Sequence, residues 1–270
     1  MFHRSLLLTC AATVLFAADV PAASIQLTPS KDNTLIQRTD PNAQYSNGLG
    51  DIFCGRTNQD GQGEATISIR RGLMAFDIAG SIPAGAAITG ATLTMVDVMG
   101  NNGDRTVELH RVLQDWGEGT SYQGGGQGAP ATEGDATWLY TFYDYDDPAS
   151  SPTWNSPGGD FVSAASTSQV VLGGVSGQTF VWSSAGNPEM VSDLQMWLDS
   201  PADNFGWLVF GDESQGQTAK RLTGRHSSTN APLLEIEYEL QSVPEPGSIL
   251  MLAVGGVVLG VWRKAACRRS

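Results

Sequence analysis

Cysteine, histidine and positive charge are all scarce in this chain. Of three cysteines in 270 residues, Cys10 and Cys267 lie in the terminal stretches, so only Cys54 serves the body of the protein. One thiol closes no intramolecular disulfide, and stability must come from burial. Cys54 has no histidine near it in sequence and reads as a small buried hydrophobe, not as a nucleophile. Beyond His3 at the N-terminus, the histidines are His110 and His226, and neither sits in HExxH or another metal-ligand spacing. There is no GxSxG nucleophile elbow. The 15 Lys+Arg face 28 Asp+Glu, a net charge of -13. Arg4, Arg263, Lys264, Arg268, Arg269, Asp19 and Glu245 belong to the two ends, which leaves 10 basic against 26 acidic residues between them. No basic run is left to displace counterions, so nucleic acid is excluded as a partner. Carboxylates this abundant are mainly solvated surface charge, and the chain is expected not to be an enzyme.

Long apolar runs are missing as well, except at the ends. Residues 1–23 carry Arg4, an apolar stretch over 6–18, and small side chains at Val20 and Ala22. This is the form of a secretory signal peptide, to be set aside from fold reasoning. At the other end, Val243-Pro244-Glu245-Pro246 precedes an uncharged run over 249–262 and a basic tip. As a helix that run spans about 21 Å at ~1.5 Å per residue, against a hydrocarbon core of roughly 30 Å. It suits transient membrane insertion, and the basic tip places the C-terminus in the cytoplasm. The body, residues 24–242, is enough for one domain.

The tail resembles the PEP-CTERM sorting signal of Gram-negative bacteria. Its parts are the motif Val243, Pro244, Glu245 and Pro246, a membrane segment over 248–262, and the Arg-rich tip, within residues 243–270. The resemblance implies processing by an exosortase-type membrane protease. The chain would be an inner-membrane precursor, then a cell-surface or extracellular protein of an exopolysaccharide, biofilm or floc matrix.

Within the body, short β-rich runs alternate with Gly, Asn, Asp and Ser clusters. Strands are expected over 34–38, 51–54, 65–70, 73–78, 88–96, 106–113, 137–143, 169–172, 179–182, 206–210 and 233–240. Leu234, Ile236, Tyr238 and Leu240 alternate with Glu235, Glu237 and Glu239, the period of a half-buried strand. The fold class is all-β: a two-sheet antiparallel sandwich, jelly-roll-like, with one short helix. That helix starts at Asn187-Pro188-Glu189, carries Val191, Leu194, Trp197 and Leu198 on one stripe, and stops at Pro201. Residues 117–134 are rich in glycine and read as a long mobile loop. Trp138 and Tyr140 share strand parity and are expected to be buried, as are Trp182, Trp197 and Trp207.

The runs at 70–95, 108–121, 154–161, 204–214 and 219–238 together resemble the DNRLRE-domain proteins. That family is a β-sandwich related to carbohydrate-binding modules. The stretch matching its naming motif is Lys220-Arg221-Leu222-Thr223-Gly224-Arg225-His226, where His226 replaces the usual acid. The resemblance implies a domain that binds polysaccharide without cleaving it.

Sugar binding needs exposed aromatic faces and planar polar groups. Trp116 and Tyr122 are the loop aromatics that qualify. Arg70 and Arg71, with Lys220, Arg221 and Arg225, would form a cationic strip for uronates if their two strands were neighbours. Calcium is a candidate ligand of Asp144, Asp146, Asp147, Asp212 and Glu213, which place oxygen donors on turns, though without EF-hand spacing. The leading function is non-catalytic glycan binding in the extracellular matrix. A purely structural matrix protein comes second, and a polysaccharide-degrading enzyme third.

Overall fold

The computed structural model describes residues 22–40, 42–58, 68–100 and 103–240. The expected signal peptide (but for Ala22 and Ala23), the sorting motif and the segment 248–262 lie outside them. Among the described residues, no helix is long and apolar enough to cross a membrane.

The described chain is mostly β, and every named strand pair is antiparallel. The strands are β1 (Ala22–Leu27), β2 (Lys31–Ile36), β3 (Tyr45–Ser46), β4 (Ile52–Arg56), β5 (Ile69–Ala75), β6 (Ala87–Gly100), β7 (Arg105–Arg111), β8 (Ala129–Pro130), β9 (Thr167–Val171), β10 (Thr179–Ser183), β11 (Trp207–Phe210), β12 (Lys220–Leu222) and β13 (Leu233–Glu239). One helix, α1 (Pro188–Asp199), enters between β10 and β11. The ladder runs β1-β13-β6-β12-β4-β5-β11-β7-β9, with β10 added on β6 and β2 on β5. The three-residue β12 bridges β6 to β4. The hydrogen-bonded path is therefore continuous over eleven strands, while β3 and β8 form a separate ribbon.

The period-2 patterning is met where it was plain. In β13, Leu234 and Ile236 are buried against β6, although Leu240 at the end is exposed. In β6, Ala91, Leu93 and Met95 point inward, and the next inward position is Asp97. One large cluster takes side chains from β4, β5, β6, β7, β9, β10, β11, β12, β13 and α1. Cys54 is fully buried within it. Trp182, Trp197 and Trp207 are all inaccessible, and Trp197 meets Trp207 edge-on at 4.7 Å between centroids.

Helix α1 begins and ends where its sequence signals say. Met190, Leu194, Trp197 and Leu198 are its buried stripe, and Val191 is half-buried. Asn187, however, does not cap. Its Nδ2 donates to the carbonyls of Ser183 and Ala185, so it ties the helix start back to β10.

Three expectations are corrected. Of the runs expected over 65–70 and 73–78, residues 65–67 lie outside the described residues, and Ile69, Arg70 and 73–75 belong to one strand, β5, which continues through Arg71 and Gly72 and ends at Ala75. Gly72 is no break: a Cβ there would stand 2.3 Å from Ile52 Cγ2, so it marks a close approach. Residues 137–143 form turns, with Tyr140 making only an isolated bridge to Thr153. Trp138 and Tyr140 are accordingly half-buried. The glycine-rich stretch 117–134 packs. Its β8 pairs with β3, and the Gly117 N–H donates to the carbonyl of Thr141. A Cβ at Gly117 would meet the Gly134 carbonyl oxygen at 1.7 Å, so these glycines allow backbone segments to touch.

Candidate functional site

The strip expected from two neighbouring strands does not form, because β4 lies between β5 and β12. Strand alternation then divides each basic pair. Arg70 is fully buried, with Nε donating to the Gly126 carbonyl at 2.5 Å and Nη1 to those of Ile69 and Gln37. Its neighbour Arg71 forks onto Glu213 at 2.7 and 3.0 Å, beneath Trp138, Phe161 and Phe210. Lys220 is buried and donates to the carbonyls of Gly103 and Leu172 at 3.0 and 2.7 Å. Burial holds its pKa below the usual lysine value, although Asp97 opposes the shift. Arg70 and Lys220 therefore cannot present charge to a ligand. Trp116 is also corrected. It is fully buried in a second apolar cluster with Leu35, Leu73 and Leu208, and its indole N–H donates to the carbonyl of Phe205.

The calcium candidates are not brought together into one site. Asp144 closes its own turn, with Oδ1 accepting the N–H groups of Asp146 and Asp147. Asp212 pairs with Arg105 at 3.1 Å and Glu213 with Arg71. Among the described residues, the acidic and histidine side chains that converge are Asp32, Glu118 and His226.

Of the expected glycan-binding residues, Tyr122 is exposed and Arg221 and Arg225 are half-buried. Arg221 points outward, pairs with Asp51 at 2.6 Å, and lies over the Phe53 ring at 5.6 Å. Tyr122 is exposed as expected, at 66%. Two shallow clefts meet at Arg221 and residues 124–126 of the glycine-rich stretch. One, about 420 Å³, is lined by Phe53, Met99, Gln217 and Arg221. The other, about 290 Å³, is lined by Asp51, Tyr122, Arg221 and His226.

Beside the second cleft lies a half-buried charged knot. Arg225 forks onto Glu118 at 2.9 and 2.8 Å, and the Arg225 N–H donates to Asp32 Oδ2 at 2.5 Å. Glu118 Oε1 also accepts the Asp32 N–H at 3.0 Å. Burial pushes the Asp32 carboxyl up to about 8, and the nearby Glu118 charge adds to the shift. Pairing with Glu118 raises the Arg225 pKa further. Gly224 makes the turn possible: a Cβ there would meet the Gly50 carbonyl oxygen at 2.2 Å.

Asp32, Asp51, Phe53 and Glu118 were not singled out by sequence. Glu118 sits 107 residues from Arg225 in the chain. No local periodicity announces such a pair.

Residues 242–269 match the PEP-CTERM protein-sorting motif. This motif is the substrate signal for exosortase processing and implies export by way of a membrane-anchored precursor. No curated protein matches the chain.

Proposed function

We propose that the exported β domain, residues 22–240, is a non-catalytic polysaccharide-binding module of the extracellular matrix, with its ligand lying along the two clefts that meet at Arg221. In this reading the strands enclose a sandwich-like core, as in carbohydrate-binding modules of the DNRLRE type. The observation that supports it most is the joining of an exposed Tyr122 to a forked, outward Arg221 across a shallow, extended depression. Aromatic faces stack on sugar rings, and guanidinium forks match uronate carboxylates. The clefts are open and shallow, which suits a chain-like ligand better than a small molecule. The sorting motif supports this reading, because an exported domain can meet extracellular polymers.

A purely structural matrix role is the second reading. It is favoured by the ion pairing of Arg71, Arg221 and Arg225, each of which already holds a carboxylate.

Binding of uronate polymers by the parent, Tyr122→Ala and Arg221→Ala proteins separates the two. The glycan reading expects both variants to stay folded and to bind at least about tenfold more weakly, since a charge-assisted contact contributes about 1.5–3 kcal/mol. Unchanged binding per folded molecule, or none by the parent, leaves the structural reading. Processing is checked by mass spectrometry of the exported protein, which should find no peptide beyond about residue 246. Intact 249–262 in the mature protein would mean a lasting anchor instead.

A further inference from the structure

The knot beside the second cleft contains an unsatisfied donor set. Asp32 comes from the second position of β2, Glu118 from the stretch following Trp116, and His226 from the turn after β12. One ligand atom from each lies within 4.8 Å of the other two. Asp32 is 1% exposed. Its Oδ2 is held by the Arg225 N–H, but among the described residues no donor reaches its Oδ1. A buried carboxylate oxygen left without a partner is costly, and native chains seldom keep one that nothing satisfies. Its neighbour is a second carboxylate, that of Glu118, and the cation already in the knot, Arg225, forks onto Glu118 and leaves Asp32 Oδ1 without a partner among the described residues.

The separations suit a metal better than a hydrogen bond. His226 Nε2 stands 3.6 Å from Glu118 Oε1, too far for hydrogen bonding. Two ligands of a tetrahedral zinc ion, with bonds of about 2.0–2.2 Å, sit roughly 3.3–3.6 Å apart. Two carboxylates and an imidazole are donors that zinc accepts, whereas calcium takes oxygen alone. Arg225 would remain as an outer partner, orienting Glu118 through its fork. His226 is exposed and lines the cleft beside Tyr122, so an ion can arrive from solvent.

We propose that Asp32, Glu118 and His226 form a zinc-class divalent metal site. It pins the glycine-rich stretch and the turn after β12 to β2. The site differs from the calcium candidates at Asp144–Asp147 and Asp212–Glu213, and it does not depend on the glycan reading. An imidazole adds a nitrogen ligand without adding a third negative charge to the knot.

The test uses the full chain, stripped of metal and titrated with zinc chloride, calcium chloride and, as a spectroscopic stand-in, cobalt(II) chloride. The parent should take up one zinc per chain, melt at a higher temperature with zinc, and give a tetrahedral cobalt absorption band. His226→Ala changes an exposed side chain and should fold. It should bind zinc at least about tenfold more weakly and lose the band. Asp32→Asn should do the same, and if it fails to fold, His226→Ala alone carries the decision. Absence of stoichiometric zinc in the parent overturns the proposal. So does equal zinc affinity in parent and His226→Ala, which means adventitious surface binding, or uptake of calcium alone. Metal binding is read without any polysaccharide, so its failure and the failure of the glycan reading are separate results.

Discussion

The core under α1 and the seam around Asn33 are both buried, yet they hold together by different means. Under α1, Trp197, Trp207, Leu194 and Met190 bury apolar surface, and Trp207 adds one hydrogen bond from its indole N–H to Asp193. In the seam, Asn33 alone touches six groups. Its Nδ2 donates to the carbonyls of Gly117, Glu118 and Ala136. Its Oδ1 accepts from the Thr34 and Asn47 N–H groups and from Ser46 Oγ. Asp135, also buried, accepts from Ser121 Oγ and from the Thr132 N–H. The apolar core is stabilised by removal of area from water, without regard to direction. The seam is stabilised by directional bonds that cost free energy if any partner is lost. One consequence is that a glycine-rich stretch with little apolar area to bury is nonetheless held in place.

That contrast can be broken in measurable ways. The largest loss should come from the apolar side: Trp207→Ala removes a fully buried indole and should cost about 4–5 kcal/mol in chemical denaturation. Asn33→Ala leaves several buried groups unpaired for a much smaller loss of volume and should still cost about 3 kcal/mol. A cost below about 1 kcal/mol would show that the seam is incidental. Replacing residues 119–131 by a short Gly-Ser linker removes β8 and Ser121. It should lower the melting temperature by roughly 6–10 °C, because about 2–3 kcal/mol is lost in a chain of this size. A truly mobile loop would leave it unchanged.

The smaller effects sharpen the comparison. Asp97 is buried on β6, and burial raises its pKa above 3.8 despite Lys220 nearby. The folded chain then holds a proton that the unfolded chain has released. The resulting stabilisation is complete below pH 3.8 and is lost as pH rises through the folded pKa. Denaturation series at rising pH should therefore show the parent falling relative to Asp97→Asn. Parallel curves would mean that Asp97 titrates alike in both states. Lys220, shifted down, has the opposite sign: its share is complete above 10.5 and lost as pH falls through its folded value. Tyr122→Ala should have the least effect on stability, within about 0.5 kcal/mol, because its side chain is exposed.

Much of the apolar half was legible in the residues themselves. The alternation in β13, the stripe on α1 with Pro188 and Pro201 at its ends, and the burial of Cys54 are all local or compositional signals. Among the candidate site residues, Tyr122 was placed correctly on the surface and Trp116 was not. Both lie in glycine-rich surroundings. The two differ because Trp116 meets Leu35, Leu73 and Leu208 from distant parts of the chain. The pair Arg70 and Arg71 looked like one cationic patch, but adjacent strand residues face opposite ways, so one is buried and the other lies on the aromatic side.

The sequence by itself determined an acidic, disulfide-free, β-rich domain with one helix, followed by a sorting tail. Those properties follow from composition, from periods of two and 3.6, and from short contiguous motifs. Tertiary structure alone decided that β4 separates the two basic strands, that the glycine-rich stretch packs, and that Asp32, Glu118, Arg225 and His226 meet. The physical reason is distance along the chain. Glu118 and Arg225 are joined by close backbone approach at Gly224 and by a buried polar network, and neither leaves a periodic trace in the order of residues.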